Sequence, residues 1–128
     1  MLSSPTILVV DDDTDIRDAM CLILEHSGYQ TVTAANGAEA LRVLGERGGN
    51  GRSVDLILLD MMMPVMDGWG FRSSQLEWGA VAEIPVVVLT GDGRASAKAA
   101  AIGAAGYLKK PLDLDDLLAL VAVHCARR

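Results

Sequence analysis

The most informative stretch of this sequence is TILVVDDD, residues 6–13, in which an aliphatic and β-branched run meets three consecutive aspartates. A half-exposed strand alternates apolar and polar residues, whereas an unbroken apolar run indicates a strand that is covered on both faces. Comparable runs are LILL at residues 56–59 and VVVL at residues 86–89. Strands of this kind occur in parallel sheets with helices on both faces, so the sequence predicts an α/β fold.

The segments between the apolar runs have the spacing of amphipathic helices. Asn36 with Glu39 three residues later is close to a capping box, which marks the start of a helix. The apolar residues of the first such segment fall on one helical face, namely Ile16, Ala19, Met20, Ile23 and Leu24. Five strand–helix units in succession predict a five-stranded, doubly wound parallel sheet, (βα)5. The expected strands are 6–10, 30–34, 54–59, 84–89 and 105–109, and the expected helices are 15–27, one from Asn36 onward, 69–79, 94–102 and 113–124.

Length and composition limit the class of protein. The 128 residues are typical of one domain, and 51% of them are hydrophobic, which excludes a disordered chain. The net charge of −6 lacks the basic surface that direct DNA or RNA binding needs. No apolar run approaches the ~20 residues of a membrane span, and no signal peptide is evident. Cys21 and Cys125 fit no metal spacing, so we expect free thiols and a cytoplasmic protein without a membrane partner.

Polar residues follow four of the predicted strands. The acidic run 11–13 follows the first strand, Asp60 the third, Thr90 the fourth and Lys110 the fifth. Ligands of open parallel sheets bind outside the carboxyl ends of the strands, and all four positions lie at that edge. The sequence therefore predicts one folded site built from residues that are far apart in the chain.

The chemistry of these side chains indicates a metal and phosphoryl-transfer site. Carboxylates about 4 Å apart repel one another by several kcal/mol at an effective dielectric near 20, so positive charge has to sit among them. Lys110 supplies one charge, and a hard cation with few oxygen ligands, which indicates Mg²⁺, supplies the rest. A cation, a lysine and a hydroxyl around one carboxylate suit phosphoryl transfer, with Asp60 as the nucleophile.

Four segments resemble a known family at matching spacing. They are ILVVDDD (7–13), LILLDMMMPVMDG (56–68), PVVVLTG (85–91) and GAAGYLKKP (103–111). Together they resemble the CheY-like receiver domains of two-component response regulators, whose fold is of the flavodoxin/CheY type. The resemblance runs from Ile7 to about Cys125, which implies a single receiver domain over residues 1–128.

The resemblance implies a role for each residue of the site. Asp60 would be the phosphoacceptor. Mg²⁺ would be bound by Asp11, Asp12, Asp60 and the backbone carbonyl of Met62. Thr90 and Lys110 would act with Asp60 in catalysis, as hydroxyl and phosphoryl-binding ammonium.

The resemblance also implies a conformational switch. Thr90 would be drawn toward the phosphoryl group, and Tyr107 would fill the space that it leaves. Gly91 and Gly93 flank Asp92, so the loop after strand 4 is expected to move easily. A cis peptide bond is expected between Lys110 and Pro111.

The implied partner is a sensor histidine kinase or a phosphotransfer protein, and small phosphodonors also serve in many receivers. Phosphorylation would switch a protein-interaction surface made of helix 4, strand 5 and helix 5, whose target the sequence does not identify. The sequence also does not settle whether phosphorylation drives dimerisation through the same face. Such a domain catalyses only its own phosphorylation and dephosphorylation, so no turnover enzyme is expected.

Other hypotheses remain at this point. One hypothesis is that the acidic run 11–13 serves only as a helix cap, since carboxylates favour helix N-termini. A haloacid-dehalogenase-like phosphatase also uses an aspartate nucleophile and Mg²⁺, but its motif on Asp11 would need threonine or valine where the chain has Asp15. A pseudo-receiver would have the fold without phosphorylation. The chain could stand alone or be a piece of a larger regulator or hybrid kinase, and the initial methionine slightly favours the first.

Overall fold

The computed structural model describes residues 4–47, 54–91 and 94–125. This part of the chain forms one five-stranded parallel sheet with strand order β2-β1-β3-β4-β5. The prediction of a doubly wound α/β fold is confirmed. The elements are β1 (Thr6–Val10), α1 (Thr14–His26), β2 (Gln30–Ala34), α2 (Gly37–Glu46), β3 (Leu56–Asp60), α3 (Gly68–Glu77), β4 (Val86–Thr90), α4 (Ala95–Ile102), β5 (Gly106–Lys109) and α5 (Leu114–Cys125).

Alternate residues of the central strands face opposite layers of helices. Leu56 and Leu58 of β3 belong to the core formed with α1 and α5, whereas Ile57 and Leu59 belong to the core formed with α2, α3 and α4. All residues of β1, β3 and β4 are buried. The unbroken apolar runs therefore arise because both faces of these strands are covered, as the sequence predicts.

Three strands begin later than predicted, and β5, which covers Gly106–Lys109 rather than 105–109, does so by one residue. β3 covers Leu56–Asp60 rather than 54–59, and β4 covers Val86–Thr90 rather than 84–89. The carboxylate of Asp55 accepts a hydrogen bond from the backbone N–H of Thr6 at 2.9 Å, so a side chain occupies the pairing position before β3. Pro85 has no N–H to donate, and β4 begins after it. Asp60 and Thr90 are therefore the last residues of their strands rather than the first loop residues.

Side-chain caps start three of the helices within one residue of their predicted starts. Asp13 accepts hydrogen bonds from two N–H groups in the first turn of α1, and Asp113 accepts one from Asp116 at α5. Asn36 accepts a hydrogen bond from the N–H of Glu39, whose carboxylate accepts one from Ala35. These caps satisfy N–H groups that have no partner inside the helix.

The first turn of α3 begins earlier than predicted. The helix covers Gly68–Glu77 rather than 69–79, because Asp67 acts as its N-cap and accepts a hydrogen bond from the N–H of Gly70 at 2.9 Å. Ala19 of α1 is another departure, since it is exposed although it was expected on the buried face. Cys21 and Cys125 carry thiol groups and are not joined in a disulfide, and the Lys110–Pro111 bond is cis, both as predicted. Within the described residues, no helix combines the length and apolarity needed to cross a bilayer.

Candidate functional site

The register of the sheet brings Asp11 and Asp60 to the same edge. Val10 of β1 pairs with Leu59 of β3, so the two aspartates follow on neighbouring strands. Their side chains and that of Asp12 each offer an oxygen, and these oxygens lie within 4.8 Å of one another. Since carboxylates so close repel when ionised, the cluster needs positive charge nearby.

Thr90 and Lys110 join the cluster through β4 and β5. Asp60 pairs with Leu89, so Thr90 extends one residue beyond the phosphoacceptor candidate. Thr90 in turn pairs with Lys109, and its carbonyl accepts a hydrogen bond from the N–H of Lys110 at 2.8 Å. The strand ends thus bring the predicted residues together from four separate parts of the chain.

The three carboxylates differ in exposure. Asp11 is 0% exposed and Asp60 4% exposed, whereas Asp12 is open to solvent. The site therefore contains two buried carboxylates and is open to solvent at Asp12. The Asp60 carboxylate is accessible only from the solvent side of the described cluster, near Asp12.

Lys110 provides the positive charge next to the two buried carboxylates. Its Nζ lies 2.8 Å from Oδ2 of Asp11 and 3.5 Å from Oδ2 of Asp60. Burial alone would lower the pKa of Lys110, but the contacts with Asp11 and Asp60 outweigh it, so the pKa is raised. The ammonium group therefore stays charged at neutral pH.

The Asp60 carboxyl group has an unusual proton affinity. Burial raises its pKa from 3.8 to about 6. The N–H of Met62, which donates to Oδ1 at 3.1 Å, and the charge of Lys110 lower the pKa, whereas Asp11 and Asp12 raise it. Asp60 is thus mostly ionised at neutral pH and takes up a proton in mildly acidic solution.

One oxygen of Asp11 is suited to a cation. Oδ1 accepts a hydrogen bond from the N–H of Asp13 at 2.9 Å. Oδ2 is buried and, within the described part of the chain, accepts no well-directed hydrogen bond; its contact with Lys110 is an ion pair. Carboxylate oxygens with free lone pairs are the ligands that Mg²⁺ prefers, so the residues present fit a hard divalent ion.

The turn after β3 carries the fourth predicted ligand, Met62. Its side chain is 67% exposed, and its backbone is tied to Asp60 through the hydrogen bond from its N–H. The turn is closed by a hydrogen bond from the N–H of Gly68 to the carbonyl of Met61 at 3.1 Å. This closure fixes the backbone around the position of the predicted carbonyl ligand.

The two predicted switch residues lie on neighbouring strands. Thr90 is 2% exposed, and Tyr107 on β5, which pairs with Val88, is 44% exposed. Thr90 is thus buried and Tyr107 is partly exposed to solvent, near the same end of the sheet. Asp92 and Gly93, which belong to the loop expected to move, lie outside the described residues.

Arg17 belongs to this site although the sequence did not single it out. Its Nη1 donates a hydrogen bond to the backbone carbonyl of Asp11 at 2.7 Å. The sequence does contain a signal for this role of Arg17. The first turn of a helix disfavours a cation, and Arg17 is the fourth residue of α1. A cation in that position indicates a partner outside the helix.

Comparison with known families identifies the domain. The model of the response regulator receiver domain family matches residues 7–122, so the chain belongs to this family. Receiver domains of response regulators are signalling domains.

Curated relatives support this assignment. Transcriptional regulatory protein PrrA of Mycobacterium tuberculosis is 36% identical over 129 residues, which cover 99% of this chain and 52% of that protein. The DNA-binding dual master transcriptional regulator RpaA of Synechocystis is 35% identical over 119 residues, covering 91% of this chain and 47% of that protein. The chain therefore spans about half the length of these two relatives. A 14.6 kDa protein of Leptolyngbya boryana is 36% identical over 126 residues, covering 97% of this chain and 92% of that protein.

Solved structures have the same fold. Chemotaxis protein CheY4 of Vibrio cholerae is similar with a TM-score of 0.83 and 30% identity, covering 95% of this chain and 99% of that one. A response regulator receiver domain protein of Clostridium thermocellum has a TM-score of 0.83 and 30% identity, covering 96% of this chain and 95% of that one. The predicted CheY-like fold is confirmed.

Proposed function

We propose that residues 1–128 form a single phosphoacceptor receiver domain that takes a phosphoryl group onto Asp60 from a histidine kinase or a phosphotransfer protein. The observation that carries this proposal is the convergence of Asp11, Asp12 and Asp60 within 4.8 Å, with Lys110 paired to two of them. A helix-capping role for the acidic run 11–13 accounts for Asp13 alone, whose carboxylate caps α1. Helix capping therefore does not account for the carboxylates of Asp11 and Asp12, and we assign them to metal binding.

Mg²⁺ is the proposed cofactor. The carboxylates of Asp11, Asp12 and Asp60 and the backbone carbonyl of Met62 would hold it, and all four are hard oxygen ligands. When bound, the ion neutralises the charge of the carboxylates and of the phosphoryl oxygens. The buried Oδ2 of Asp11, which lacks a well-directed hydrogen bond among the described residues, supports this assignment.

The transfer itself is a displacement at phosphorus. An ionised Asp60 oxygen forms the new O–P bond while the P–N bond of the donor phosphohistidine breaks, and the imidazole leaves with that electron pair and takes a proton from solvent. Lys110 pairs with a phosphoryl oxygen, and the hydroxyl of Thr90 donates a hydrogen bond to another. Hydrolysis of the acyl phosphate by water restores the carboxylate, so the domain turns over no separate substrate.

The proposed output is a change on the surface formed by α4, β5 and α5. Phosphorylation adds nearly two negative charges and three acceptor oxygens next to the end of β4. Thr90 moves toward them, and the exposed ring of Tyr107 turns into the space that Thr90 leaves. The packing change biases this surface between two arrangements, which a downstream protein or a second copy reads.

The partner that delivers the phosphoryl group has to cover the same edge of the sheet. An apolar groove of about 230 Å³, which we call the α1–α5 groove, lies beside the site. It is lined by Ala19 and Met20 of α1 and by Lys110, Pro111 and Leu112 of the loop before α5. Because Lys110 belongs to both the groove and the site, a protein bound in the groove is positioned to reach Asp60. We propose that this encounter takes place in the cytoplasm.

Intact mass after incubation with Mg²⁺ and acetyl phosphate tests the proposal. We expect one added phosphoryl group on the wild type, dependence on Mg²⁺, and no addition to Asp60→Asn. A phosphoryl group that persists on Asp60→Asn would overturn the assignment. Labelling of Asp11 with steady release of phosphate from an ester would favour the phosphatase hypothesis instead. An unlabelled but folded wild type would indicate a pseudo-receiver, and the solution mass of the labelled sample reports dimerisation.

A further inference from the structure

Arg17 turns back from α1 to the acidic turn that follows β1. Its Nη1 donates to the backbone carbonyl of Asp11 at 2.7 Å, a bond between residues six apart in the chain. The side chain is half-buried, so its guanidinium group is not simply a solvated surface charge. The positive end of the helix dipole disfavours a cation in the first turn, and the bond to the Asp11 carbonyl offsets this cost.

The bonded carbonyl belongs to the peptide that joins Asp11 and Asp12. A peptide unit is planar, so fixing the direction of its carbonyl also fixes the orientation of the following N–H. The direction of the N–Cα bond of Asp12, which belongs to the same plane, is thereby fixed. The contact therefore acts on the direction in which the Asp12 carboxylate leaves the backbone.

Asp12 needs such help more than its neighbours do. Asp11 is buried and held by the N–H of Asp13 and by Lys110. Asp12 is exposed, so the described residues do not bury its side chain. Its approach to Asp60 brings two carboxylates together, which is repulsive when both are ionised.

We propose that Arg17 is a positioning residue that fixes the Asp11–Asp12 peptide and so holds the Asp12 carboxylate ready for a divalent cation. The inference rests on the proposed function, because it assumes that this cluster binds Mg²⁺. Arg17 contacts the backbone of the site and is assigned no contact with the ion or the phosphoryl group.

A purely electrostatic role would have the opposite sign. A guanidinium group bonded to the backbone of the site repels a divalent cation there, so if charge alone mattered, its removal would tighten Mg²⁺ binding. If positioning dominates, its removal weakens binding. The sign of the change in affinity therefore distinguishes the two roles.

The test is an NMR titration with MgCl₂ of the wild type, Arg17→Met, Arg17→Lys and the control Arg42→Met. Arg42 pairs with Glu39 and Glu46 on the exposed face of α2, so its variant makes the same charge change away from the site. We expect Arg17→Met to weaken Mg²⁺ affinity about tenfold, as is typical when an outer partner of a metal ligand is removed. Arg17→Lys, which keeps a donor and the charge, is expected between the two, and Arg42→Met at the wild-type value.

Labelling by acetyl phosphate supplies a second readout. At low Mg²⁺ we expect the rate for Arg17→Met to fall by the same factor, and at saturating Mg²⁺ to return to the wild-type rate. Unchanged or tighter Mg²⁺ binding by Arg17→Met, or a lysine variant no better than methionine, would overturn the inference. If Arg17→Met fails to fold, the lysine variant carries the comparison. A wild type without any response to Mg²⁺ refutes the proposed function and the inference with it, whereas equal binding by wild type and Arg17→Met refutes the inference alone.

Discussion

Lys110 makes its shorter contact with Asp11, whose Oδ2 lies 2.8 Å from the lysine Nζ. The distance from the same Nζ to Asp60, the proposed phosphoacceptor, is 3.5 Å. Before phosphorylation the lysine therefore mainly compensates the fully buried carboxylate of Asp11. It lies close enough to Asp60 to turn to a phosphoryl group there. We therefore expect Lys110 to affect stability through its ion pair with Asp11 and phosphorylation through its contact with Asp60.

Removing the lysine charge is expected to destabilise the metal-free protein. Lys110→Met leaves two buried carboxylates without their cation, which costs about 3 kcal/mol of the free energy of unfolding at pH 7. Added MgCl₂ replaces part of the missing charge, so the loss shrinks in its presence. Urea denaturation in EDTA and in MgCl₂ measures both values. Lys109→Met is the control, because Lys109 is adjacent but exposed, and an equal loss for the two variants would contradict the prediction.

The raised pKa of Asp60 predicts how stability depends on pH. Its pKa is about 6 in the folded protein against 3.8 for the ordinary group. The folded state therefore binds the proton more tightly, and this contribution to stability is present at low pH and lost as the pH rises through about 6. Without Mg²⁺, Asp60→Asn is expected to exceed the wild type in stability by about 1–3 kcal/mol at pH 7.

The difference between Asp60→Asn and the wild type is expected to disappear as the pH falls from about 6 toward 3.8. Denaturation curves of both proteins across this range check it. Mg²⁺ affinity of the wild type is expected to fall over the same interval, since the proton and the ion compete for one carboxylate. A stability difference that does not change with pH would show that Asp60 is not the group concerned.

Gly68 is expected to be essential for the turn that carries the site. A Cβ on Gly68 would lie 2.5 Å from Sδ of Met61, 2.8 Å from Cα of Met61 and 3.1 Å from the carbonyl oxygen of Asp60. Two of these contacts are with backbone, which cannot move without displacing the end of β3. Gly68→Ala is therefore expected to cost about 2 kcal/mol of stability and to weaken Mg²⁺ binding. Gly79→Ala is the matched control, because a Cβ there meets nothing within 4 Å; thermal unfolding with and without MgCl₂ compares the two.

The sequence predicts those parts of the fold that depend on burial and on local hydrogen bonds. The strands covered on both faces are recognisable from their composition, and the cap at Asn36 from its spacing to Glu39. The convergence of Asp11, Asp60, Thr90 and Lys110 follows because parallel strands bring their carboxyl ends to one edge. The exact bounds of β3 were not predictable, since its start depends on Asp55, which bonds to Thr6, and its end on pairing with β4.

Other features depend on tertiary contacts that local rules do not anticipate. Val65 adopts a φ of 69°, which β-branched residues disfavour, so nothing in its residue type indicates this conformation. The turn is held from outside, since the N–H of Gly37 donates to the carbonyl of Met66 at 2.8 Å. Arg17 is a similar case, because the helix-dipole rule identifies it as anomalous without identifying its partner, Asp11.

The exposure of Ala19, which the helical pattern did not predict, provides a test of the protein phosphodonor. Ala19 lines the α1–α5 groove, so Ala19→Glu places a charge at the apolar surface where we propose that the donor protein docks. Burying an unpaired carboxylate in an interface is costly, so phosphoryl transfer from the cognate phosphohistidine protein is expected to slow about tenfold or more. Acetyl phosphate needs no docking surface, so its reaction with Asp60 is expected to stay at the wild-type rate. Ala38→Glu, on the exposed side of α2, is the control. Equal slowing with both donors would place the effect in the site rather than in the groove, and unchanged transfer from the protein donor would exclude the groove as its docking surface.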